Sequence, residues 1–191
     1  MVPVIGVLAL QGDFQAHASI LRDLGAEPRE IRVPADLHGI DGLIIPGGES
    51  TVISQGIERE RLAEPLRGLL ATGTPVLGTC AGLIVLDRDH LGAMDIRARR
   101  NAFGRQVRSF EVDLEVAGLE EGPVRAVFIR APWIEEHGDD VEVLAEVDGH
   151  PVAARQGNLL VLAFHPELSQ DRRLHRAFLD AVRARGSEVA G

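Results

Sequence analysis

Pro75-Val76-Leu77-Gly78-Thr79-Cys80-Ala81-Gly82-Leu83-Ile84-Val85-Leu86 sets the only cysteine of a 191-residue chain between two apolar runs. The first run predicts a short buried strand, and the second opens a helix directly behind a turn flanked by Gly78 and Gly82. An α/β protein raises a nucleophile above its sheet in this way. Glycines at 78 and 82 allow a tight backbone approach that a side chain would obstruct. A lone intracellular cysteine is usually an inert buried hydrophobe, so the turn is what makes Cys80 a candidate for acyl-transfer chemistry.

The pattern repeats on the N-terminal side. Residues 4–10 form a near-continuous apolar run, read as a buried parallel strand, followed by Gln11-Gly12-Asp13 and a helix from Phe14 to Leu24 stopped at Gly25. A more polar, peripheral strand is expected from Pro28 to Val33. Asp41 to Ile45 is a further strand, breaking into Pro46-Gly47-Gly48-Glu49-Ser50-Thr51, and a helix over Leu62 to Ala71 leads to the cysteine strand. This alternation predicts an α/β fold: a doubly wound, mostly parallel, flavodoxin-like three-layer sheet with its site at the strands' carboxyl ends. The loops at Gln11-Gly12, Gly47-Gly48 and Cys80-Ala81 converge there.

From about 107 to 163 the period shortens. β segments are expected over Ser109–Val116, Val124–Ile129, Val141–Val147, Val152–Arg155 and Leu159–Phe164. Gln156-Gly157-Asn158 is a hairpin signal between the last two, predicting an antiparallel β extension of the main sheet. A helix near Asp171 to Arg183 closes the chain. No repeat, linker or low-complexity tract interrupts it, so residues 1–191 are expected to form a single domain.

Composition narrows the chemistry. A net charge of −9 with dispersed arginines argues against nucleic acid. All 20 basic residues are arginine, which excludes Schiff-base catalysis and a P-loop lysine from this chain. One cysteine excludes an internal disulfide and a cysteine-rich zinc site, and no metal or cofactor is expected. Met1 to Leu10 lacks a basic leader, and no apolar stretch approaches the ~18 residues of a membrane span, so a cytoplasmic location without membrane contact is expected.

A thiolate needs a base. Of seven histidines, most are expected at the surface, but His165 follows an apolar strand and precedes Pro166-Glu167. Residues two apart on an extended backbone point to one side, so Glu167 could hold Nδ1 of His165 and leave Nε2 for Cys80. In isolation His-Pro-Glu reads as a strand-ending turn; beside Cys80 it reads as a Cys-His-Glu triad. Gly47-Gly48 could be a phosphate cradle or a helix entry, but without lysine it is better read as turning the Gly48 N–H toward an oxyanion, opposite the N–H of Ala81. Arg100 and Arg130 lie beside predicted strands and could grip a substrate carboxylate or simply be solvated.

Leu10-Gln11-Gly12-Asp13, Pro46 to Thr51, Gly78 to Gly82, Arg100 to Gln106, Phe128 to Pro132 and His165-Pro166-Glu167-Leu168 together resemble the glutaminase subunits of pyridoxal 5′-phosphate synthase, from near residue 4 to near 180. The cysteine and histidine motifs alone would indicate only a class I glutamine amidotransferase; PGGEST, RNAFGRQ and FIRAP narrow it. The resemblance implies hydrolysis of L-glutamine to L-glutamate and ammonia, channelled to a separate synthase subunit. It makes Cys80 the nucleophile and His165 with Glu167 the charge relay. It sets glutamine against Gly48, Glu49, Ser50, Arg100, Ile129 and Arg130, and Gln11 near the synthase interface, where docking organises the oxyanion hole. In that family the glutaminase is nearly idle alone, and twelve copies can decorate a double ring of synthase subunits. The stretch Leu86 to Met94 is several residues shorter than the family pattern. The alternatives are a class I glutaminase of another synthase, a catalytically silent docking module, and a redox-sensing thiol, which would leave His165-Pro166-Glu167 without a role.

Overall fold

The computed structural model describes residues 2–104 and 109–189. Arg105 and Gln106 of RNAFGRQ therefore lie outside the described residues. In chain order the elements begin β1 (Val4–Leu8), α1 (Phe14–Asp23), β2 (Glu27–Ile31), β3 (Gly42–Ile45), α2 (Ser50–Arg59), α3 (Ala63–Ala71), β4 (Val76–Thr79) and α4 (Ala81–Leu86). They continue with β5 (Ile96–Arg99), β6 (Ser109–Leu114), β7 (Val124–Ile129), β8 (Trp133–His137), β9 (Glu142–Val147), β10 (His150–Gln156), β11 (Leu159–Leu162) and α5 (Arg173–Val189).

Among the described residues the main sheet has seven strands in the order β2-β1-β3-β4-β11-β10-β9. Its first five strands run parallel, and β10 and β9 extend it antiparallel. Every residue of β3 and β4 is buried, as both faces of a helix-covered parallel sheet require. β2 buries only Ile31 and is the edge. The expected hairpin is present: Gln156 pairs with Leu159 across Gly157-Asn158, and Gly157 has φ +56°, as a tight two-residue hairpin turn demands.

The expected antiparallel extension is present and consists of β10 and β9; among the described residues β6 pairs with β7, and β5 with β8, in separate two-stranded ribbons. Aromatic packing holds the β6/β7 ribbon in place. Phe110 stacks on Phe128 at 4.6 Å between ring centroids, and Phe128 meets Phe164 at 5.5 Å. The His165 N–H then bonds the Val127 carbonyl at 2.8 Å, so the end of β7 is tied to the end of β11. Helix α2 makes the glycine-rich turn a helix entry as well, the reading set second to the oxyanion role. Its first-turn donors are satisfied by the Glu49 carboxylate, which accepts from the N–H groups of Thr51 and Val52.

Residues 86–94 close on themselves. The N–H groups of Ala93 and Met94 both return to the Leu86 carbonyl, and the Asp87 carboxylate accepts from Asp89 N–H and His90 Nδ1. This compact turn delivers β5 and then Arg100 to the sheet's carboxyl edge.

Candidate active site

Cys80 has φ 48° and ψ −101°, a region that non-glycine residues rarely adopt. The surroundings over-determine it. Its N–H bonds the Leu162 carbonyl at 2.7 Å, and the neighbouring Gly82 lies so tightly on the Ile45 carbonyl that no side chain fits. Sγ is 3.9 Å from the Ile129 carbonyl oxygen, and Ala81 opens α4 with an N–H that has no partner within the helix.

His165 follows β11, the strand paired with that of Cys80, and its Nδ1 lies 2.7 Å from Oε1 of Glu167. Both residues are buried. The route differs from the expectation of an extended backbone: β11 stops at Leu162, and Glu167 is carried back by a 3-10 turn, Pro166–Leu168, that Pro166 starts. Gly47 lies against both the ring and the Cys80 side chain. A methyl at Gly47 would stand 2.5 Å from Cε1 of His165 and 3.4 Å from Cβ of Cys80.

The electrostatics follow from this packing. Burial acts to lower the His165 pKa, but hydrogen bonds and charge interactions with Cys80 and Glu167 outweigh it and push the value up to about 10. Asp13, His165 and Glu167 bring ligand atoms within 4.8 Å of one another. An imidazole held protonated offers no lone pair to a metal, so the group suits proton transfer better than metal binding.

The Gly47-Gly48 loop is held by its neighbours. Gly47 N–H donates to Thr79 Oγ1 at 3.1 Å, the Gly47 carbonyl accepts from Asp13 N–H at 3.1 Å, and Gln11 Oε1 accepts from Glu49 N–H at 2.7 Å. The Gln11 carboxamide rests directly on Gly48.

A cleft of about 330 Å³ opens over these groups. Cys80, Ala81, His165, Gln11, Gly48, Glu49, Ser50, Arg100, Ile129 and Arg130 all line it, with Glu167 behind His165. Arg100 and Arg130 are exposed at its rim, and Arg100 donates to Thr51 Oγ1 at 3.0 Å. Asp13, Asn101, Ile84 and Pro132 also line it without having been assigned roles. A larger hollow of about 410 Å³ beside Ser54, Ile57 and Arg67 holds neither Cys80 nor His165, so chemistry rather than size selects the site.

One histidine expectation holds only in part. His17 and His175 are fully buried and meet at 2.9 Å behind Glu167. The signal was present: His17 is four residues before Leu21, and His175 four before Leu179, on the apolar stripes of their helices.

The chain resembles known proteins in both sequence and fold. The chain is 56% identical over 194 residues to pyridoxal 5′-phosphate synthase subunit PdxT of Frankia alni, covering 97% of this chain and 98% of that protein. It is 54% identical to the subunit of that name from Nocardia farcinica, covering 98% and 89%. A crystal structure described as a glutamine amidotransferase superposes with a TM-score of 0.87 at 46% identity, covering 93% of this chain and 98% of that one. Residues 7–184 match the SNO glutamine amidotransferase family, and with a strained cysteine, a paired histidine and a shared cleft already in place, the chain belongs to that family.

Proposed function

We propose that this chain hydrolyses L-glutamine to L-glutamate and ammonia as the glutaminase subunit of a pyridoxal 5′-phosphate synthase, passing the ammonia to the synthase subunit. The observation that carries this is the buried His165–Glu167 pair facing Cys80 across Gly47, in a chain over half identical to proteins named for that synthase.

Glutamine lies against the backbone of Gly48, Glu49 and Ser50 and against Ile129, with Arg100 and Arg130 offering cations to its α-carboxylate. The Cys80 thiolate attacks the side-chain amide carbon. The oxyanion is held by the N–H groups of Gly48 and Ala81, each worth roughly 3 to 4 kcal/mol of barrier. The C–N bond breaks as the His165 imidazolium gives its proton to the leaving nitrogen, which departs as ammonia. Neutral His165 then takes a proton from water, whose oxygen attacks the γ-glutamyl thioester. Glutamate leaves, and the thiolate and imidazolium are restored.

Ammonia is useful to an acceptor only while unprotonated, so the exit must be a closed interface with the synthase. Gln11, resting on Gly48 and bonded to the Glu49 N–H, couples that interface to the oxyanion loop. The test is Cys80→Ala assembled with the cognate synthase. Glutamine-dependent ammonia release is expected to disappear with the complex intact; undiminished release would refute the assignment.

A further inference from the structure

The carboxylate behind His165 has a second oxygen to which the proposed chemistry gives no task. Oε2 of Glu167 is sealed from solvent and accepts no hydrogen bond among the described residues. His17 Nε2 stands 3.4 Å from it, within ion-pair distance but off the line of a formed bond. The same Nε2 is 3.3 Å from Thr79 Oγ1, the atom that accepts the Gly47 N–H. His17 Nδ1 lies 2.9 Å from Nε2 of His175, whose own Nδ1 is buried without a partner among the described residues.

Both rings are neutral near pH 7. Burial first, then the charges of His175 and His165, hold His17 well below its usual range, and burial with the Arg172 charge pushes His175 down to about 4. Each ring therefore carries one N–H and one lone pair. If His17 held its proton on Nδ1, its Nε2 lone pair would face a carboxylate oxygen, and His175 Nδ1–H would be a buried donor with no acceptor. With the protons on Nε2 of both rings, His175 donates to His17 and His17 donates toward Glu167 and Thr79. The Thr79 hydroxyl then has no ring nitrogen to donate to, so each arrangement leaves one buried donor short among the described residues; what separates them is that only an Nε2–H sets a donor, rather than a lone pair, 3.4 Å from the buried Glu167 carboxylate.

We propose that His17, backed by His175, is a positioning residue whose Nε2–H faces Glu167 Oε2 and Thr79 Oγ1 and holds the triad carboxylate and the Gly47 turn in one alignment. The proposal rests on the glutaminase reading of Cys80, His165 and Glu167. The groups bearing on His17 come from two sides: His175 of α5, and His165 and Glu167 of the segment following β11, with Arg172 acting on His175.

The test compares the unaltered chain, His17→Phe and His17→Gln, each assembled with the cognate synthase. His17→Phe is expected to lower kcat for glutamine hydrolysis about tenfold or more, as when the partner orienting a reacting group is removed, with KM changed less than about threefold. His17→Gln keeps an N–H near the Nε2 position and is expected to recover most of the loss. Unchanged kcat in a folded His17→Phe complex, or no recovery with glutamine, would overturn the proposal. Nitrogen-15 spectra of the unaltered chain read the tautomers without any substitution. Protonated Nε2 and bare Nδ1 on His17 are expected; the reverse would overturn it. Hydrolysis that survives Cys80→Ala would instead strike the glutaminase reading, leaving the tautomer result to stand by itself.

Discussion

Gly47 lies against His165 so closely that its absent side chain defines the catalytic gap: a methyl there would be 2.5 Å from the ring's Cε1. Gly47→Ala must therefore displace the imidazole or the loop. We expect kcat to fall about a hundredfold or more, since a displacement of about 1 Å suffices for that, while overpacking costs about 1 to 3 kcal/mol of stability. Steady-state kinetics and a denaturant melt of the same preparation separate the two effects.

Glu167→Gln keeps the shape of the side chain and removes its charge. A carboxylate that orients a catalytic imidazole is worth about 10⁴ in kcat in the best-studied triad, and a loss of about 10³ or more is expected here. Glu167 is also one of the groups raising the His165 pKa, so the His165 midpoint must fall below its value of about 10. An NMR titration of the imidazole checks the direction; a midpoint that stays near 10 would mean Cys80 alone sustains the charge.

The buried histidine pair predicts a specific acid weakness. Both folded pKa values lie below the unfolded value of about 6.5, so below that pH the unfolded chain binds more protons and stability falls as the pH drops. For His175 the loss runs from about pH 6.5 to its folded value of about 4 and amounts to roughly 3 kcal/mol. Denaturant melts across that window should steepen with acid, and His175→Gln should flatten the slope. An equal slope in the variant would mean other groups set the acid limit.

What the sequence revealed follows from how local each signal is. β1, β3, β4 and β11 are short apolar runs, buried throughout or beyond their first one or two residues, and a run of that kind announces itself. β5 and β8 do not, because Ile96-Arg97-Ala98-Arg99 and Trp133 to His137 are half charged. They pair through the Arg97–Glu136 and Arg99–Glu135 contacts, which join residues nearly forty apart. The closeness of His165 and Glu167 was legible from their two-residue spacing, although on an extended backbone, whereas the carboxylate is returned by a turn that Pro166 starts; the turn at Cys80 was legible from its flanking glycines. His17 and His175 were not, because each looks like one more polar residue until α1 and α5 are packed behind Glu167. The helix at Ser50 was read second to the oxyanion role for a related reason: the turn before it carries a stronger glycine signal than its own sparse apolar spacing.

The central claim is that the Cys80 sulfur becomes covalently acylated during turnover. Acid quenching of the synthase complex while it hydrolyses glutamine, followed by mass spectrometry of the Cys80 peptide, reads this directly. A γ-glutamyl thioester on Cys80, absent without glutamine and lost on alkylating the thiol, is the predicted result. Sustained ammonia release from a complex whose Cys80 is already alkylated would contradict it.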